Sequence, residues 1–140
     1  MTVDTTLPIL VVDDYGTMIR ILRNLLKQVG FENVDDASDG AEALAKLRDS
    51  EKKYSLVISD WAMEPMTGLE LLKLVREDSD MKDLPFIMVT AESKTENVIA
   101  AKKAGVDNYI VKPFNAQTLR SKIVATMASR APAEPAANEA

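Results

Sequence analysis

The chain has 140 residues, 46% of them hydrophobic and 28% charged, with 17 Lys and Arg against 22 Asp and Glu for a net charge of −5. That suits one globular domain with an ordinary core, and the acidic balance argues against nucleic acid or an anionic membrane as a partner. Cysteine and histidine are both absent, which excludes thiol chemistry, the usual zinc sites, His-based triads and imidazole proton shuttling; chemistry must come from carboxylates, Lys, hydroxyls or a hard metal ion.

Taken in chain order, Ile9, Leu10, Val11 and Val12 form a short β-rich run that stops at Asp13 and Asp14. Such a run is buried on both faces if its strand is central. From Thr17 to Val29 the period changes. Met18, Ile21, Leu22, Leu25, Leu26 and Val29 recur at helical spacing, with Arg20, Arg23, Asn24 and Lys27 opposite. Gly30 is a natural helix stop. Residues 31–37 read as a more polar edge strand, and Asp39 and Gly40 open a second helix with Ala43, Leu44 and Leu47 on its apolar stripe.

Leu56, Val57 and Ile58 run into Asp60, and Leu69, Leu72 and Val75 mark a third helix. Residues 84–90 read as a fourth strand, with Pro85 tolerable only near its start. An Ala-rich fourth helix over 97–104 closes at Gly105. A fifth strand over 108–111 leads to Lys112, Pro113 and Phe114, and Leu119, Ile123, Val124 and Met127 define the last helix. Residues 130–140 hold nothing to bury and are expected to form a disordered tail beyond a domain spanning 1–129. No apolar stretch reaches the roughly 18 residues needed to span a bilayer, and residues 1–6 lack the basic start and long apolar run of a signal peptide, so a cytoplasmic location is expected.

Strict alternation of strand and helix calls for an α/β fold: a doubly wound five-stranded parallel sheet with helices on both faces. In such a sheet every strand's carboxyl end points the same way, and that edge is where ligands bind. The first strand delivers Asp13 and Asp14 there, the third Asp60, the fourth Thr90 and the fifth Lys112. Three crowded acids repel and raise one another's pKa. A hard cation such as Mg2+ relieves that repulsion, while Lys112 and Thr90 supply a fixed charge and a hydroxyl. The set describes a pocket for a small dianion, most simply a phosphoryl group carried by a carboxylate beside a metal. No glycine-rich phosphate loop follows the first strand, which excludes the usual dinucleotide and NTP sites.

These residues make the chain resemble the receiver domains of two-component response regulators, and within them the chemotaxis branch. The blocks that carry the resemblance are 10–14 (LVVDD), 17–18 (TM), 23–26 (RNLL), 58–61 (ISDW), 68–73 (GLELLK), 88–92 (MVTAE), 100–101 (AA), 104–105 (AG) and 111–114 (VKPF). Trp61 and Glu92 narrow it toward chemotaxis. The resemblance implies a flavodoxin-like strand order 2-1-3-4-5. It implies that Asp60 accepts a phosphoryl group from a sensor histidine kinase of the chemotaxis type. Asp14, Asp60 and the Ala62 backbone carbonyl would ligate Mg2+, with Asp13 acting through water, and Lys112 would pair with the phosphoryl oxygens. Thr90 and Tyr109 would be the switch residues, and the Lys112–Pro113 peptide would be cis.

The implied partners are the kinase, a flagellar motor switch protein bound by the switched output face, and a phosphatase, with no nucleic acid and no membrane, and the chain a monomer. The rival role is a phosphate sink or shuttle that binds no motor. An Asp-dependent phosphatase is a poor reading, because such enzymes need a second Asp two residues after the nucleophile and Ala62 stands there. The protein is therefore expected to be a signalling phosphoacceptor rather than an enzyme. Each switch residue has a plainer alternative: Tyr109 as a half-buried strand aromatic, Trp61 as a loop-packing residue, Glu92 as a first-turn acid favourable to a helix dipole. Met63 and Met66 read as packing residues. The chain departs from the family pattern at Tyr15 and Gly16, at Ala62 where Asn is common, and at Glu64 and Pro65, where the proline is displaced by one position.

Overall fold

The computed structural model describes residues 5–49, 53–91 and 95–129. The expected tail over 130–140 and Glu92 lie outside the described residues. Ten elements alternate: β1 (Ile9–Val12), α1 (Gly16–Gln28), β2 (Val34–Ala37), α2 (Gly40–Leu47), β3 (Leu56–Asp60), α3 (Gly68–Glu77), β4 (Phe86–Thr90), α4 (Thr95–Ala104), β5 (Asn108–Val111) and α5 (Ala116–Ser129). All pairings are parallel and the sheet order is β2-β1-β3-β4-β5, as the resemblance implies.

Two apolar layers sandwich the sheet, and strand pleating explains the division. Along β1, Ile9 and Val11 face one layer, with Leu22 and Leu26 of α1 and Leu119 and Ile123 of α5. Leu10 and Val12 face the other, with Leu44 of α2, Leu71 and Leu72 of α3, and Met88 of β4. β1, β3 and β4 are buried along their whole length, which is why their sequences are continuous apolar runs rather than alternating ones. β2 is at an edge and keeps two partly exposed acids, Asp35 and Asp36.

Local signals set the helix ends. The Asp39 carboxylate accepts from the Glu42 N–H and starts α2. Thr67 and Glu70 form a reciprocal capping box that starts α3. Gly30 and Gly105 take φ of +104° and +97° after α1 and α4, a region that favours glycine.

Three expectations need correction. The second strand spans 34–37 and not 31–37: Phe31 is 1% exposed because it packs from a loop into the core beneath α1, not because it sits in the ladder. Pro85 precedes β4, where its carbonyl accepts from the Val57 N–H. Ile21 is 42% exposed, since Leu22 and Leu26 centre the buried stripe and a residue at 100° from Leu22 falls at its margin. Among the described residues, no helix is long and apolar enough to cross a membrane.

Candidate functional site

The strand register brings the expected residues to one edge. Asp60 is the last residue of β3 and lies opposite Val89 of β4, one residue before Thr90. Thr90 pairs with Val111, and the Lys112 N–H donates to the Thr90 carbonyl at 2.8 Å. Lys112 therefore leaves β5 beside Asp60, and its ammonium donates to Asp60 Oδ1 at 3.0 Å. The Asp60 side chain is 7% exposed, so this ion pair is shielded from water on the acid's side.

Asp13 follows β1 directly, held by its own N–H donating to the Ala37 carbonyl at 3.1 Å. Its Oδ1 accepts from the Tyr15 N–H at 2.9 Å, and its Oδ2 is buried with no hydrogen-bond partner. Burial pushes the Asp13 carboxyl up from 3.8 to about 6; the Tyr15 N–H opposes this, the Asp60 charge adds to it, and the Lys112 ammonium offsets part of it. Asp14 is exposed on the rim. One carboxylate oxygen from each of Asp13, Asp14 and Asp60 lies within 4.8 Å of the others. Three hard oxygen donors, one of them buried and unpartnered, suit a divalent cation of the Mg2+ type.

The loop beyond Asp60 is pinned by main-chain bonds. The Trp61 N–H donates to the Val89 carbonyl, and the Trp61 carbonyl accepts from both Met63 and Gly68 N–H. A Cβ on Gly68 would lie 2.2 Å from the Asp60 carbonyl oxygen and 2.8 Å from the Met88 sulfur, so only glycine lets α3 approach the acid's backbone this closely. Ala62 is exposed and Met63 is buried. Both Glu64–Pro65 and Lys112–Pro113 are cis, the second as expected and the first not.

Asp13, Asp14, Asp60 and Lys112 thus form one group, with Thr90 ending the adjacent strand. Tyr109 sits further back on β5, half-buried at the margin of the core layer shared with α3. Sequence reasoning missed Gly68, although its place between the capping Thr67 and the first buried turn of α3 was a usable signal. A cleft of about 630 Å3 lies at the opposite edge of the sheet, lined by Leu47, Tyr54, Met81 and Leu84 among charges of both signs. Among the described residues, the group of three acids spaced to hold a metal ion lies at the Asp60 edge and not in that cleft.

Comparison with known proteins agrees with this geometry. Residues 9–124 match the family model described as the response regulator receiver domain. The chain is 49% identical over 115 residues to chemotaxis protein CheY-3 of Vibrio cholerae, covering 82% of this chain and 87% of that protein. The solved structure of CheY4 from Vibrio cholerae superposes with a TM-score of 0.79 at 36% identity, covering 86% of this chain and 98% of the other. The CheX–CheY–BeF3–Mg complex from Borrelia burgdorferi gives a TM-score of 0.79 at 26% identity, covering 86% and 89%. The chain belongs to the response regulator receiver domain family and is a CheY-like signalling protein of two-component chemotaxis systems.

Proposed function

We propose that this receiver takes a phosphoryl group onto Asp60 from a phosphohistidine of a chemotaxis-type sensor kinase, and that the phosphorylated form binds a flagellar motor switch protein. The observation that carries the reading is the buried Asp60 carboxylate, tied to Lys112 at 3.0 Å and grouped with Asp13 and Asp14 within 4.8 Å. Receiver domains normally bind Mg2+, and the donor set here suits it.

With Oδ1 taken by the lysine, Oδ2 of Asp60 is the nucleophile. As the new O–P bond forms, the P–N bond of the phosphohistidine breaks and its electron pair stays on the imidazole nitrogen. Lys112 holds the attacking carboxylate in place and then faces the phosphoryl oxygens with a fixed positive charge. Asp14, Asp60 and the Ala62 carbonyl, with Asp13 acting through water, would hold Mg2+, which would supply charge neutralisation for the phosphoryl oxygens. The backbone bonds that pin Trp61 to Val89 and Gly68 keep the Ala62 carbonyl in a fixed loop. Reversal toward rest is attack by water on phosphorus, which returns the Asp60 carboxylate as leaving group and releases phosphate.

Thr90 supplies the hydroxyl that meets the phosphoryl group, and Tyr109 follows it inward, so that the α4–β5–α5 face changes shape. That is a shift between two states biased by a local charge. The Borrelia complex, which contains CheX with beryllofluoride and Mg2+, supports a second partner for the phosphorylated form, a phosphatase. The test is phosphotransfer from an autophosphorylated chemotaxis kinase followed by capture on motor switch protein. Transfer that needs Mg2+ and strengthens capture supports the reading. Transfer without any gain in capture would reassign the chain as a phosphate sink.

A further inference from the structure

α5 is fixed in rotation by Leu119 and Ile123, both fully buried, and by Thr126, itself buried, whose hydroxyl is satisfied within the helix by donating to the Lys122 carbonyl at 2.7 Å. Lys122 lies between those two anchors and reaches the edge of the sheet, where β5 has no outer neighbour. Its ammonium sits 5.6 Å from the centre of the Tyr109 ring and 3.4 Å from Asn108 Oδ1. A cation within about 6 Å of an aromatic centroid is attracted by the ring's quadrupole. The Asn108 amide oxygen also accepts from the Tyr109 backbone N–H at 3.0 Å. One side-chain amide therefore positions both the lysine and the main chain of the tyrosine.

We propose that Lys122 is a latch on Tyr109: its ammonium holds the ring in the half-buried position seen here, and inward movement of the ring has to break that contact. The proposal rests on the switch role given to Tyr109 above and adds its regulation. Asp60 and Lys112 decide whether a phosphoryl group is present. Lys122 sets how far the switch stays off without one. Loss of the ammonium raises the shifted population in the unphosphorylated protein about two- to fivefold, the range expected for a partly exposed cation–π contact.

The test uses the whole chain labelled with 3-fluorotyrosine. Its three tyrosines give three 19F resonances, with Tyr109 assigned by Tyr109→Phe. Spectra are taken with and without Mg2+ and beryllofluoride for the wild type, Lys122→Met and Lys122→Arg, each checked for folding by its melting curve. Methionine keeps the apolar stem and removes the charge; arginine keeps a cation over the ring. The expected result is that the Tyr109 resonance of unliganded Lys122→Met moves toward the beryllofluoride position, while Lys122→Arg stays with the wild type. If the wild type responds to beryllofluoride but Lys122→Met matches it when unliganded, or if Arg shifts as much as Met, the latch is overturned. A wild-type ring indifferent to beryllofluoride overturns the switch role of Tyr109, and the latch falls with it.

Discussion

Asp13→Asn should stabilise the metal-free protein. Asp13 is 1% exposed, its Oδ2 lacks a partner, and it shares the edge with Asp14 and Asp60. A carboxyl moved from 3.8 to about 6 costs the folded state about 3 kcal/mol when ionised at neutral pH. Asparagine keeps the acceptor for the Tyr15 N–H and replaces the unpartnered oxygen with an amide donor among acidic neighbours. For a chain of this size the gain corresponds to about 10 °C in Tm.

The sign follows from proton binding. Between pH 4 and 6 the folded protein binds more protons at Asp13 than the unfolded chain does, so this residue's contribution to stability falls as pH rises through that window. The advantage of Asp13→Asn is therefore full at pH 8 and shrinks toward pH 4. Mg2+ also shrinks it, because metal stabilises the wild type by mass action and the variant less. Thermal melts of both proteins at pH 8 and pH 4.5, in chelator and in Mg2+, decide the matter. A variant that melts at or below the wild type in chelator at pH 8, or an advantage unchanged at pH 4.5, would show that ionised Asp13 does not destabilise the metal-free fold.

Three further substitutions have outcomes that can be measured. Gly68→Ala places a methyl against the Asp60 carbonyl, backbone that cannot move aside cheaply, and should cost about 3 kcal/mol in urea unfolding. Arg76→Met should cost about 3 kcal/mol by the same measurement, since this guanidinium donates to the Lys82, Leu84 and Gly105 carbonyls and to Asp107, with only 15% of its side chain exposed. Ala62→Asn adds a carboxamide two residues beyond Asp60 that can orient an attacking water, and should shorten the acylphosphate lifetime by about tenfold as followed by 31P NMR; an unchanged lifetime would sink that idea.

The fold was legible because its signals are local. The runs of β1, β3 and β4 are apolar on both faces, and only a sheet covered on both sides needs that. The edge acids could be read because parallel strands bring their ends together whatever their separation in sequence. Phe31 misled for the same reason that helped elsewhere: an apolar residue beside a polar strand reads as ladder, whereas its burial comes from a loop folded under α1. Arg76 gave no periodic signal at all, because its partners are loop and strand-end groups, two of which, Gly105 and Asp107, lie 29 and 31 residues away. Lys122 carries no signal in the sequence, because only the rotation of α5 brings it to Tyr109.

The most direct measurement of the central claim is the intact mass of the protein after incubation with Mg2+ and acetyl phosphate. The wild type should gain one phosphoryl group, with no gain when Mg2+ is chelated and none in Asp60→Asn. A folded wild type that gains no mass, or an Asp60→Asn protein that is phosphorylated as fully as the wild type, would contradict it.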